Sequence, residues 1–131
     1  MPTVAGPFEV TRHAEPPYHV ADGITLGRSR FDKVFHGALA AQSQVEMLAA
    51  VTAVAGSAAY VAIERVVGTL DGRAGTFILC HTGTMTRGTP GLVVTVVPDS
   101  GTGALVGLTG AMQIDIVDGK HAYTFTYALT P

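Results

Sequence analysis

The residues of this chain best suited to chemistry are Glu64 and His81, a carboxylate and an imidazole on the two arms of one candidate hairpin. Burial raises a carboxyl pKa and a nearby positive charge lowers it, so the surroundings of such a pair decide which partner holds the proton. Side by side they form a general acid/base pair, in which His81 takes or delivers a proton and Glu64 orients the ring. The structural alternative is that Glu64 pairs with Arg65 or another cation and that His81 is a hydrogen-bonded core residue, because ion pairs perturb pKa values without any catalysis.

A turn brings the two together. Asp71-Gly72 lies between β-rich runs and favours a two-residue type I′ turn, which fixes what lies opposite what. Leu70 then faces Arg73, Val66 faces Phe77, Glu64 faces Leu79, Ala62 faces His81 and Tyr60 faces Gly83. Glu64 and His81 become diagonal neighbours on one face, with Tyr60 and Phe77 as apolar walls. The other face carries Val61, Ile63, Arg65, Val67, Ile78 and Cys80, so neither side is simply wet. One side is expected to line the interior and the other to meet a helix, a loop or another subunit. Asp118-Gly119 sets a second hairpin, with Met112, Ile114, Ile116, Tyr123, Phe125 and Tyr127 inward and Gln113, Asp115, Thr124 and Thr126 outward. The Tyr123 and Tyr127 hydroxyls either hydrogen-bond a ligand carbonyl or are satisfied within the packing.

Three residues of QSQVEML alternate, and Gln42, Gln44 and Glu46 read most simply as a solvent-facing side, with a polar patch at a lumen mouth as the alternative. From Glu46 to Ala59, Ala favours helix while Val51, Thr52 and Val54 favour strand, and both assignments stay open.

The 131 residues, 47% hydrophobic and 14% charged, describe one apolar domain over the whole chain. A formal charge of -2 and a pI near 6.2 lack the basic footprint that nucleic acid or an anionic membrane requires. Apolar runs fall short of the roughly 20 residues of a membrane-spanning helix. The start MPTVAGPFEV has neither a basic nor an apolar leader region, so a soluble, cytoplasmic protein is expected. Cys80 is the only cysteine, which leaves no internal disulfide and suits a reducing compartment. The five histidines show no metal-ligand spacing, and neither a metal nor an organic cofactor is expected. GTGALVG (Gly101–Gly107) superficially matches a dinucleotide fingerprint, but a hairpin follows it where a helix is needed. Turn signals at Asp22-Gly23, Asp71-Gly72, Pro98–Gly101 and Asp118-Gly119 punctuate a β-meander. About eight strands fit an all-β fold, a closed eight-stranded antiparallel barrel in preference to a sandwich, whose interior is filled by side chains or holds one small ligand.

KVFHG (Lys33–Gly37), AIERVVGTLDGRAGTF (Ala62–Phe77), LCHTGT (Leu79–Thr84) and VVPDSGTGALVGLTG (Val96–Gly110) together resemble the DUF3224 family over nearly the whole chain. That resemblance implies an allene oxide cyclase-like β-barrel, and assigns no reaction. GTGALVGLTG is similar to a glycine-rich segment of the wider barrel superfamily, which includes dirigent proteins and bacterial spirotetronate cyclases. Those proteins steer substrates in an apolar lumen without a cofactor. The resemblance carries Glu64, Arg65 and His81 over as motif positions, with His36 and Glu46 beside them. Arg12-His13 stand where the family often shows an aromatic residue.

These observations imply a barrel that encloses a hydrophobic small molecule and works as a cofactor-free cyclase or isomerase, with Glu64 and His81 catalytic. Tyr60, Phe77, Tyr123, Tyr127, Glu46, His36 and Arg65 are the candidate ligand-binding residues. A non-catalytic carrier and a filled, self-assembling barrel are the alternatives. Low charge and apolar residues on both faces of the Tyr60–Met85 hairpin predict a homo-oligomer, a dimer in the first instance.

Overall fold

Along the central strands buried and exposed side chains alternate, so each has an inner and an outer face. The segment Ala58–Leu70 turns Tyr60, Ala62, Glu64 and Val66 inward and Val61, Ile63, Arg65 and Val67 outward. In the computed structural model, which describes residues 1–130, the strands are β1 (Thr3–Ala14), β2 (His19–Ala21), β3 (Ile24–Phe35), β4 (Leu39–Val51), β5 (Ala58–Leu70), β6 (Arg73–Thr86), β7 (Thr89–Val96), β8 (Leu108–Val117) and β9 (Lys120–Leu129). They form one antiparallel sheet in the order β1-β9-β8-β7-β6-β5-β4-β3-β2. β1 also pairs with β3, Phe8 opposite Phe35, and this contact closes the sheet. The architecture is a closed eight-stranded antiparallel barrel, with the short β2 added beside β3.

Both residues of the Asp71-Gly72 and Asp118-Gly119 turns have positive φ, 49° and 80° in the first and 54° and 76° in the second, as a type I′ turn requires. The registers expected from these pairs hold residue by residue, including Ala62 opposite His81, Tyr60 opposite Gly83 and Gly110 opposite Tyr127. Arg87-Gly88 makes a further turn of this kind, at φ 48° and 90°. Arginine has no preference for the left-handed region, so nothing in the sequence announced it. The ambiguous stretch after Glu46 is strand as far as Val51 and strand again from Ala58. Pairing with β3 on one side and β5 on the other outweighs the helix preference of its alanines. Ile116 departs from expectation: it is 63% exposed. β7 pairs with β8 only at Thr95–Ala111, so no strand flanks β8 on that side where Ile116 stands.

The barrel is closed at one end. Phe77 stacks on Phe125 at 5.8 Å and Phe125 on Tyr127 at 5.6 Å, and this cluster continues through Phe8, Phe35, Leu39, Leu70 and Leu108. Beneath it the β7–β8 connection makes a single 3-10 turn, Gly103–Leu105, that places Leu105 in the core. The connection is stitched to β6: the Thr102 hydroxyl accepts from the Thr76 N–H at 3.0 Å, and the Thr102 N–H donates to the Thr76 carbonyl at 2.8 Å. Truncating this plug, Leu105→Ala, removes buried methyl groups and leaves a void, with an expected loss of about 3 kcal/mol. Urea unfolding at neutral pH checks it; a loss below about 1 kcal/mol would mean that the core closes over the gap without the plug.

Candidate functional site

Above the apolar floor, three strands flanking Glu64 converge on its carboxylate. Glu64 is fully buried on the inner face of β5. Its Oε1 accepts from the Lys33 ammonium of β3 at 3.1 Å and lies 2.7 Å from His81 Nε2 of β6. Its Oε2 accepts from the Ser43 hydroxyl of β4 at 2.6 Å. All three partners are buried. Lys33 Nζ also lies over the rings of Phe8 and Phe35, 5.1 and 5.8 Å from their centroids, where a cation meets the negative face of an aromatic quadrupole.

Burial by itself would push the Glu64 carboxyl up. The hydrogen bond with His81, the Lys33 charge and the Ser43 hydroxyl outweigh it and hold the group below its ordinary 4.5. Glu64 is therefore ionised at neutral pH and acts only as an acceptor. That fixes the tautomer of His81: Nε2 carries the proton donated to the carboxylate, and in the neutral ring Nδ1 is left with a free lone pair. Nδ1 makes no hydrogen bond, and since no fully buried side-chain nitrogen or oxygen among the described residues lacks a partner, it is not sealed off. A carboxylate that orients an imidazole whose second nitrogen remains free is the arrangement of a general base and its orienting group.

Tyr60 shares this face, half-buried, opposite Gly83. A Cβ at position 83 would fall within the Tyr60 ring, so glycine there lets the ring lie across the wall. Burial raises the Tyr60 phenol pKa. Phe77 faces inward too, within the apolar floor. Tyr123 and Tyr127 point inward as expected, and their hydroxyls are taken. Tyr123 donates to the His36 carbonyl at 2.7 Å and accepts from the Leu39 N–H at 3.2 Å, which ties β9 to the β3–β4 turn. Tyr127 donates to the Asp71 carboxylate. The structure does not bring the remaining three candidates to the lumen. Arg65 and Glu46 occupy outward positions of β5 and β4, because the alternation that turns Glu64 and Val45 in must turn them out. His36 sits exposed after β3, its Nε2 3.6 Å from a Glu9 carboxylate oxygen.

Lys33 and Ser43 are partners that the sequence reading passed over. Both were legible in principle. Phe31, Lys33 and Phe35 alternate along β3, so a lysine stands in an aromatic row. If Gln42, Gln44 and Glu46 face solvent, Ser43 must face inward. The connection from Phe35 to Leu39 carries no Asp-Gly signal to set the register between their strands. Among the described residues no three His, Cys, Asp or Glu side chains cluster so as to hold a metal ion.

β7 and β8 part above their single pairing, leaving a cleft of about 620 Å³ in the wall. It is lined by Leu92, Val93, Val94, Met112 and Ile114 together with the polar Gln113, Thr124 and Thr126, and Val94 lies directly opposite His81 on the next strand.

A group whose folded pKa lies below its unfolded value contributes stability that is complete above the unfolded pKa and lost as pH falls through the folded one. Glu64 is such a group. Urea unfolding between pH 7 and pH 3 should thus show wild-type stability falling more steeply than that of Glu64→Gln. At pH 7 the variant should be weaker by roughly 3–5 kcal/mol, since Lys33 is left buried without its counter-charge. Parallel curves would mean that Glu64 is not the ionised anchor of the network.

None of the curated proteins matches the chain. A crystal structure of a protein of unknown function from Shewanella oneidensis MR-1, of the DUF3224 family, has 50% sequence identity and a TM-score of 0.95, covering 100% of this chain and 99% of that one. The family described as "Protein of unknown function (DUF3224)" matches residues 4–127, a span that takes in the polar network, the floor and the plug. The chain belongs to the DUF3224 family.

Proposed function

We propose that the barrel binds a small hydrophobic molecule beside His81 and catalyses a cyclisation or isomerisation without a cofactor. One observation supports this: a buried imidazole, hydrogen-bonded to an ionised carboxylate through Nε2, stands opposite Val94, one of the residues that line the cleft in the barrel wall. The cleft volume falls within the range of small-molecule sites. In the proposed reaction Nδ1 removes a proton from an activated carbon, and the imidazolium, stabilised by Glu64, returns it to another atom of the same molecule. Apolar walls exclude water from the intermediate and restrict its shape. Glu64 holds the ring, and Lys33 and Ser43 hold Glu64.

Native mass spectrometry of protein purified from its own host, followed by identification of the released compound, tests binding. The expected result is one apolar compound per chain. Incubated with that compound, the wild type should convert it, and His81→Ala should be slower by about 10²-fold or more while unfolding cooperatively. Stoichiometric binding with no conversion by either protein would make the barrel a carrier. An empty barrel that also excludes small apolar probes would overturn binding altogether.

We also propose that a second copy of the chain covers the outer wall of β4–β6. Leu48, Val61 and Ile63 are 46%, 53% and 51% exposed there and contiguous with Cys80, an apolar strip of the kind two-fold related copies bury. A dimer buried inside the cell suits the lone, unpaired Cys80, and the cytoplasm is its proposed location. Light scattering at micromolar concentration should give twice the chain mass, and Ile63→Lys should give a monomer; a monomeric wild type would refute the interface.

A further inference from the structure

We infer that the molecule bound in this barrel is an anion, a small amphipathic compound whose carboxylate or similar head group is received by Lys33 and Arg12; the inference rests on the binding reading above and specifies its ligand. Its basis is a pair of cations on neighbouring inward positions that share one carboxylate. Arg12 of β1 and Lys33 of β3 are cations on inward positions, Arg12 exposed at the rim and Lys33 buried. Against them the waist of the barrel holds one carboxylate, Glu64. Asp71, at the floor end, is engaged by the Tyr127 hydroxyl.

The one carboxylate is already used. Glu64 accepts from Lys33, Ser43 and His81. Lys33, 8% exposed, donates a side-chain hydrogen bond to Glu64, and its ammonium lies 5.1 and 5.8 Å from the centroids of the Phe8 and Phe35 rings. Arg12 has no carboxylate partner among the described residues; its Nη2 donates to the neutral Ser29 hydroxyl at 3.2 Å, and Ser29 is itself buried. Register places the cations near one another: Arg12 lies opposite Phe31, two positions from Lys33 on the same face. Diagonal neighbours of this kind stand about 7–8 Å apart, a gap that an anionic group bridges. His121 approaches from the other side, its ring 5.2 Å from the Phe8 ring that also lies under Lys33.

Glu64 balances Lys33 in the buried network, and Arg12, at the exposed rim, has no carboxylate partner among the described residues, in a chain whose overall formal charge is -2. The global field does not attract anions, so the attraction is local to these two residues. Arg12 is exposed and Lys33 buried, so an anionic head received between them stands at the rim with its apolar body directed into the barrel.

Matched probes test this: decanoate, decanol and decyltrimethylammonium, titrated by calorimetry into the full chain. Decanoate should bind at one per chain and at least tenfold tighter than decanol, with the ammonium weakest. Arg12→Gln, at an exposed rim position that leaves the buried network intact, should cut the decanoate-to-decanol preference several-fold without changing decanol binding. Lys33→Met paired with Glu64→Leu removes both buried charges together and should reduce the preference to that of Arg12→Gln or lower. Decanoate and decanol binding equally, or the ammonium binding best, would overturn the anion inference while leaving binding of apolar molecules standing. Failure of all three probes to bind would overturn the binding reading and this inference together.

Discussion

A carboxylate with no exposed surface must be held by its neighbours, and Glu64 is held by three of them from three different strands. Desolvating an ion of this size costs several kcal/mol even after the surroundings relax, and only good geometry with every lone pair engaged recovers it. Lys33, Ser43 and His81 supply that geometry, and each can do so in only one register. A slip of one residue between any two of β3, β4, β5 and β6 would turn a partner to the outside and leave a buried charge alone. Half of the barrel wall is thus specified by one side chain, beyond what apolar alternation contributes.

The two ends of the barrel meet opposite demands. At the floor, stacked aromatic rings and the Leu105 plug exclude water and carry the apolar burial on which a chain of this size depends. At the waist, charged groups occupy space that aliphatic side chains would fill with equal or greater stability. Stability alone gives no reason for them, whereas the register that they impose on four strands gives one. The parting of β7 from β8 belongs to the same division. A barrel built only for stability would pair these strands along their length, and their separation opens the wall beside the strand that carries His81.

Sharing one face was enough to associate Glu64 and His81 from sequence, because a type I′ turn converts a dipeptide into a register and a register into a set of facing side chains. The same logic placed Tyr123 and Tyr127 inward but said nothing of their hydroxyls, which bond to the β3–β4 turn and to Asp71 on distant parts of the chain. Carrying Arg65 and Glu46 into the site from family resemblance ran against the alternation of their own strands, and alternation prevailed. Ile116 shows the limit of the rule: a hairpin fixes which face a residue takes, and only the neighbouring strand decides whether that face is covered.

By itself the sequence determined an antiparallel β-meander closing into a barrel, the pairing within its Asp-Gly hairpins, and the common face of Glu64 and His81. Those features depend on period-two alternation and on turns with positive φ, both written in contiguous residues. The tertiary structure decided that Lys33 and Ser43 complete the network, that the floor is plugged by Leu105, and that the wall parts between β7 and β8. Each of these joins strands with no Asp-Gly turn to set their register, or depends on where a strand stops pairing, and neither is written in contiguous residues.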